Sequence, residues 1–219
     1  MVLSDRDLSA LAVGIYGQMV GWNYFSPGDV VWAAKVIKGI TVVTMRGSMT
    51  PVDFLRDLDA CVDPFDHDAL GPVHPGFMDG MEGVWNDIKQ HTDGPRVVIG
   101  HSLGAARATI LTGLMVIDGH PPLARVVWGE PKSGTIKLAK LVRQVPGRSY
   151  RNGDKFFHDP VTDVPLTIPL ADYVRATPLI DIHVAYVVDL KSHDWHKLPV
   201  IGFHNMALYD KGMSWELTV

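Results

Sequence analysis

The segment with the clearest chemical potential is Arg96-Val97-Val98-Ile99-Gly100-His101-Ser102-Leu103-Gly104-Ala105-Ala106, which carries Gly-x-Ser-x-Gly at 100–104. The pattern is short enough to arise by chance, so its context decides what it means. The apolar run after Gly94-Pro95 reads as a buried strand, and residues 103–117 read as a helix ending before Gly119. A serine on a sharp turn between the two would sit in strained backbone geometry with its hydroxyl exposed above the sheet edge. Glycines at both flanks remove the side chains that would collide as strand and helix close on one another. The helix N-terminus beneath favours negative charge as it develops. The competing reading is a glycine-rich turn whose serine merely caps the helix. A phosphate-cradling loop is disfavoured, because no Lys-Ser/Thr follows and the spacing does not match Gly-x-Gly-x-x-Gly.

A serine hydroxyl is a poor nucleophile at neutral pH and needs a base in hydrogen-bond reach, with a carboxylate to orient that base. On a strand-turn-helix elbow the partners follow in chain order, acid and then histidine. For the acid, Asp154, Asp159 and Asp163 compete in the segment after the strand at Arg148–Arg151, and spacing alone does not separate them. For the base, His67, His74, His91, His101 and His120 are excluded by chain order, and His158 falls before the favoured acid. His183 lies mid-strand, where packing suits it better, and His193 and His196 occupy a loop. His204, between Ile201-Gly202-Phe203 and the helical run from Met206, is preferred. His193-Asp194-x-His196 without further ligands reads as a polar loop rather than a metal site.

Around these residues the chain has ordinary globular composition. Its 219 residues support one domain over 1–219, and 47% apolar with 20% charged residues can bury a core. A net charge of −4 offers no basic field for nucleic acid or an anionic membrane face. Cys61 is the single cysteine, which excludes disulfide scaffolds and Cys-rich zinc modules and fits a reducing, cytoplasmic compartment. The start lacks the charged and apolar regions of a secretory signal. The uncharged stretch Leu8–Gly28 is interrupted by Gly14, Gly17, Gln18, Gly21 and Asn23, so stable membrane insertion is not expected. Leu8, Leu11, Ala12, Ile15, Tyr16 and Met19 instead form one helical stripe, on a helix entered at Ser4.

The elements that must position the serine alternate. Val30–Ile37 and Ile40–Met45 read as strands joined at Lys38-Gly39, followed by mostly loop over 49–75 with a short helical candidate at Val52–Leu58. A helix over about 76–91 carries Phe77, Met81, Val84, Trp85 and Ile88. After the elbow come a strand at Arg125–Trp128, a helix at 135–144, a strand at Arg148–Arg151, strands within Ile180–Leu190 and a final helix from near His204. Strand-helix alternation predicts an α/β fold, a mostly parallel sheet with helices on both faces and right-handed crossovers.

Taken together, the motifs over about 30–210 resemble the class 3 lipase family of α/β-hydrolases, the fungal-type triacylglycerol lipases and their relatives. Arg46-Gly47-Ser48 with Phe54-Leu55-Arg56-Asp57-Leu58 is similar to the family's Arg-Gly-Ser/Thr loop, lid and aromatic-x-x-Asp sequel. Val73-His74-Pro75-Gly76-Phe77 resembles Val-His-x-Gly-Phe, and Gly129-Glu130-Pro131-Lys132-Ser133-Gly134 resembles Gly-x-Pro-Arg-x-Gly. The family's Asp-x-Val-Pro-x-Leu-Pro aligns with Asp159-Pro160-Val161-Thr162-Asp163-Val164-Pro165, which puts Asp159 at the acid position. The family's histidine precedes a Tyr-containing helix, as His204 precedes Tyr209.

The resemblance implies a catalytic triad of Ser102, Asp159 and His204, with Ser48 and the Leu103 N–H as the oxyanion hole. It implies acyl transfer to the serine and hydrolysis by water, with no metal or organic cofactor. The substrate would be a lipid or small ester, with transient contact at a lipid interface; phospholipase A1, small-ester carboxylesterase and a non-catalytic module are the alternatives. Met49, Val52, Phe54, Leu55 and Leu58 suggest a short lid over an acyl-chain groove, or ordinary core packing. Thr162, Lys132 and Met45 depart from the family's usual proline, arginine and aromatic residue.

Overall fold

The computed structural model describes residues 3–17, 21–25, 30–48, 64–153, 158–164, 173–182 and 204–213. Helix α1 (Asp5–Gly14) starts where the sequence places it: the Ser4 hydroxyl accepts from the Asp7 N–H at 3.1 Å, and the Asp7 carboxylate accepts from the Ser4 N–H at 3.0 Å. Leu8, Ala12 and Ile15 are buried from its apolar stripe.

Strands β1 (Asn23–Phe25), β2 (Trp32–Ile37) and β3 (Ile40–Met45) are antiparallel neighbours. The turn between β2 and β3 is Lys38-Gly39, with φ of 54° and 79°, the two positive φ values a tight hairpin of the primed type requires. A separate hairpin, β4 (Phe65–His67) with β5 (Gly71–Val73), occupies part of the region expected as loop. Helices α2 (Pro75–Met78) and α3 (Met81–His91) replace the single helix expected over 76–91. Gly80 at φ 74° is left-handed, so it ends one helix and turns the chain into the next. Then follow β6 (Arg96–His101), α4 (Leu103–Ile117), β7 (Ala124–Trp128), α5 (Ile136–Val142) and β8 (Gly147–Asn152). A 3-10 turn (Pro160–Asp163), β9 (Leu179–Ile182) and α6 (Met206–Gly212) complete the described elements. The lid candidate Val52–Leu58 and the Ile180–Leu190 strand beyond Ile182 lie outside the described residues.

The main sheet has the order β1-β2-β3-β6-β7-β8-β9, and every pair from β3 onward is parallel. It is the mostly parallel α/β sheet the alternation predicts. Because β3, β6, β7 and β8 succeed one another in a single direction, right-handed crossovers put their helices on one face. Phe77, Val84, Ile88, Ile110, Leu111, Leu138 and Val142 fill the core there, against Val43, Val98 and Val127. The opposite face falls to the two ends of the described chain. Leu8 and Ala12 of α1 and Met206 and Tyr209 of α6 pack on Val42, Val97, Ile99 and Val126. Alternate residues of each strand thus serve different cores, as a pleated strand buried on both sides demands.

Between these layers sits a charged pair with no access to water. Arg125 Nη1 donates to Glu130 Oε1 at 3.0 Å and to Thr109 Oγ1 at 2.8 Å, while Nη2 donates to Ser149 Oγ at 3.2 Å and Thr177 Oγ1 at 2.9 Å. Ser149 Oγ in turn donates to Glu130 Oε2 at 2.5 Å. Removing one partner of such a pair strands a buried charge, so Glu130→Ala is expected to lose about 3–5 kcal/mol of stability in urea unfolding. A paired Arg125→Met, Glu130→Leu replacement is expected to recover much of it; an unchanged midpoint in Glu130→Ala would show that the pair contributes nothing.

Candidate active site

Ser102 joins β6 to α4 with φ 61° and ψ −129°; Lys38, in its hairpin turn, is the other non-glycine residue with positive φ among the described residues. A left-handed serine carries conformational strain, and strain of this kind persists only where surrounding structure over-determines it. Here the Ser102 N–H donates to the Trp128 carbonyl at 3.1 Å, which pins the turn to β7. A Cβ on Gly100 would collide with the Gly104 carbonyl, and one on Gly104 with the Met45 carbonyl. The two glycines of the motif are therefore required by the approach of β3, β6 and α4 at this point. Leu103 is the first residue of α4, where helix geometry leaves the N–H without an intrahelical partner.

The loop after β3 runs against the elbow. A Cβ on Gly47 would lie 2.6 Å from the His101 carbonyl oxygen and 3.2 Å from Ser102 Cβ, and half-buried Ser48 follows directly. Asp159 and His204, 45 residues apart in sequence, meet below: His204 Nδ1 donates to Asp159 Oδ2 at 2.7 Å, with both side chains buried. Asp159 receives two further donors, the Tyr209 hydroxyl at 2.5 Å and the Val161 N–H at 2.9 Å. Gly129 seats this pair, since a Cβ there would stand 2.8 Å from Asp159 Oδ2 and 2.9 Å from His204 Cε1. Ser102 Oγ and His204 Nε2 are both buried and have no hydrogen-bond partner among the described residues. Buried polar atoms in that state mark a place where strain or chemistry is held.

The electrostatics follow from these contacts. Burial alone would raise the Asp159 carboxyl, but the adjoining His204, the hydrogen bonds from His204 and Tyr209 and the Val161 N–H together hold it below the ordinary 3.8. A carboxyl depressed on folding contributes stability that is present above its unfolded value and is lost as pH falls through the folded one. The Tyr209 hydroxyl is raised well above its ordinary value by burial and by the Asp159 charge, so it stays a donor.

The competing candidates sit elsewhere. Asp163 is half-exposed and pairs with His158 at 2.6 Å and Arg175 at 3.3 Å. His67 faces Glu82 at 3.1 Å, His91 faces Asp87 at 3.0 Å and His120 faces Asp118 at 3.3 Å. His74 is buried and stacks on Phe77. Asp154, His183, His193 and His196 lie outside the described residues. Among the described residues no cluster of His, Cys, Asp and Glu could hold a metal, and no helix is long and apolar enough to cross a membrane.

Three residues in the site were not singled out by the sequence. His101, excluded as a base by chain order, stacks on the His204 ring with centroids 4.5 Å apart. Tyr16 counted only as part of an apolar stripe, and Tyr209 only as a feature of the last helix. The hydroxyls of these two tyrosines carry no local signal, because a tyrosine on a buried stripe needs a polar partner that the sequence does not name.

A mostly parallel sheet with a strained serine elbow at the end of a central strand is the α/β-hydrolase fold. The model of the family described as Lipase (class 3) matches residues 42–168, and this chain belongs to that family. It is 32% identical over 168 residues to the secreted mono- and diacylglycerol lipase 1 of Fusarium solani, covering 72% of this chain and 47% of that protein. It is also 32% identical over 151 residues to a lipase of Caenorhabditis elegans, covering 62% and 42% respectively. The chain thus spans about half the length of the curated relatives it matches. Among solved structures, the triacylglyceride lipase of Rhizomucor miehei superposes with a TM-score of 0.58 at 19% identity, covering 72% of each chain. The mono- and diacylglycerol lipase of Aspergillus oryzae gives 0.59 at 22% identity, covering 75% of this chain and 63% of that one.

Proposed function

We propose that this chain is a serine lipase or esterase that hydrolyses carboxylic ester bonds of acylglycerols or related lipid esters, with Ser102 as nucleophile, His204 as base and Asp159 as the acid that orients it. The observation that carries the reading is the 2.7 Å His204–Asp159 hydrogen bond beside a serine held at φ 61°. In this mechanism His204 Nε2 takes the Ser102 proton as Oγ attacks the ester carbonyl. The tetrahedral oxyanion rests on the Leu103 N–H and on the N–H and hydroxyl of Ser48, above the positive end of α4. The alcohol leaves with the proton from His204, and water, deprotonated by the same ring, hydrolyses the acyl-enzyme.

The depressed Asp159 carboxyl supports its role, since an ionised carboxylate is the acceptor that holds His204 with its proton on Nδ1. Ser48→Ala is expected to leave folding intact and lower kcat by roughly 10²-fold, the scale of losing one oxyanion donor; unchanged kcat would remove Ser48 from the hole.

Acylglycerols are favoured as substrate by the Fusarium solani relative, whose name specifies mono- and diacylglycerol. Fatty-acid release from monoolein, diolein, triolein and phosphatidylcholine, beside p-nitrophenyl butyrate, tests the substrate class. Turnover of the acylglycerols is expected. Preference for phosphatidylcholine would make the chain a phospholipase, and activity on the butyrate alone a small-ester esterase. A transient lipid-interface contact through the segment after Ser48 belongs to the same proposal. So does a reducing compartment, supported by the single Cys61.

A further inference from the structure

Helix α1 lies outside the residues that the family model matches, yet the residues at its end reach the catalytic region. The Tyr16 hydroxyl lies 2.8 Å from His101 Nδ1, and His101 Nε2 lies 2.8 Å from the carbonyl oxygen of His204. A carbonyl only accepts, so the proton is on Nε2, and Nδ1 is left to accept from the tyrosine. The Tyr16 hydroxyl also abuts Gly47, next to Ser48: a Cβ on that glycine would collide with it. The His101 ring stacks on His204 at 4.5 Å and 30° and meets Tyr209 edge-on at 5.7 Å. One continuous chain of contacts therefore runs from the loop at Gly47 through Tyr16 and His101 to the backbone of His204, passing beside Ser102.

The helix that delivers Tyr16 is anchored along its length. Near its start, Asp5 accepts from the Tyr150 hydroxyl at 2.5 Å and from Arg148 Nη2 at 2.6 Å, both on β8. In its middle, the Ser9 hydroxyl donates to Asp210 on α6 at 2.6 Å. Asp210 is one residue from Tyr209, which holds Asp159. Burial, with the His204 charge beside it, pushes His101 well below the ordinary imidazole value and keeps it neutral. A neutral ring can stack on His204 without repelling the charge that His204 acquires when it takes the serine proton.

We propose that Tyr16 and His101 are positioning residues for ester hydrolysis: together they hold the loop at Gly47-Ser48 and the backbone of His204 in register on either side of Ser102, which makes α1 part of the working site. This rests on the reading of Ser102, Asp159 and His204 as the triad. Neither residue touches the reacting atoms in that reading. Their effect passes through the placement of His204 Nε2 and of the oxyanion donors, where a displacement of about 1 Å can lower rate by roughly 10²-fold.

The test is kcat and KM for p-nitrophenyl butyrate with the full chain, normalised to folded protein, for wild type, His101→Phe, His101→Gln, Tyr16→Phe and Ser102→Ala. His101→Phe keeps a stacking ring and loses both hydrogen bonds; its kcat is expected to fall about 10- to 100-fold with KM nearly unchanged. Glutamine can donate to the His204 carbonyl and accept from Tyr16, so His101→Gln is expected to recover most of that loss. Tyr16→Phe is expected to lower kcat about fivefold at constant KM. The proposal is overturned if Tyr16→Phe has wild-type kcat, or if His101→Gln is as impaired as a folded His101→Phe. Should His101→Phe fail to fold, Tyr16→Phe alone decides. Wild-type activity in Ser102→Ala would instead overturn the triad reading itself, so the two failures are distinguishable.

Discussion

Ser102→Ala is expected to lower ester hydrolysis by roughly 10⁴–10⁶-fold while the protein stays folded. The size of the loss follows from what the hydroxyl does. In the proposed mechanism no acyl-enzyme can form without Oγ, and His204 would be left to activate water in a site shaped around a different nucleophile. The residual rate in that mechanism is what the Leu103 and Ser48 donors would supply to an oxyanion in the absence of covalent catalysis. Folding is spared because the Ser102 hydroxyl has no hydrogen-bond partner among the described residues, so its removal strands nothing. Ser102→Gly is expected to be equally inactive and more stable than Ser102→Ala by about 1 kcal/mol, because glycine adopts φ near 61° without a Cβ penalty. Turnover numbers and urea midpoints for the two variants check both statements. A Ser102→Ala enzyme that keeps more than a few per cent of wild-type kcat would mean the elbow is a strained turn and not a nucleophile.

The second large effect is expected at the acid. Asp159→Asn replaces a carboxylate that accepts from His204, Tyr209 and Val161 with a group that offers one acceptor oxygen and an NH₂. Either the amide turns its NH₂ toward both His204 and Tyr209 and forces the wrong tautomer, or it keeps its oxygen there and sets the NH₂ against the Val161 N–H. The scale for a mis-set tautomer is roughly 10⁴-fold in kcat. Asp163→Asn is expected to stay close to wild type in kcat, because Asp163 is half-exposed and pairs with His158 and Arg175 rather than with His204. Parallel kinetics on the two variants test the assignment. The reverse ranking would transfer the acid role to Asp163.

The elbow was readable in the sequence because two local signals agree there. A short apolar run and a long helix-forming run abut at Gly-His-Ser-Leu-Gly, and β6 and α4 fall where those runs predict. The Lys38-Gly39 hairpin was equally legible from turn chemistry. The break between α2 and α3 was not, since Phe77, Met81, Val84, Trp85 and Ile88 keep helical spacing across Gly80 and only its positive φ reveals the turn. The β4–β5 hairpin has three-residue strands with Pro72 and Gly71 inside one of them, too short for alternation to register.

Among the site residues, spacing left Asp154, Asp159 and Asp163 level, because a carboxylate beside a turn looks the same whether or not it is buried. Three-dimensional burial separates Asp159 from Asp163: the first receives three hydrogen bonds out of reach of water, the second a surface ion pair. His101 and Tyr16 were hidden for a related reason. Their roles depend on contacts spanning 103 and 85 residues, and no local pattern carries that information.

Ser102 is expected to become covalently modified during turnover. Intact mass and peptide mapping after incubation with a fluorophosphonate address this directly. One adduct per chain, mapped to Ser102 and forming in step with loss of p-nitrophenyl butyrate hydrolysis, is the expected result, with no adduct in Ser102→Ala. An active enzyme that remains unlabelled, or that carries its adduct on another residue, would contradict the assignment of Ser102 as nucleophile.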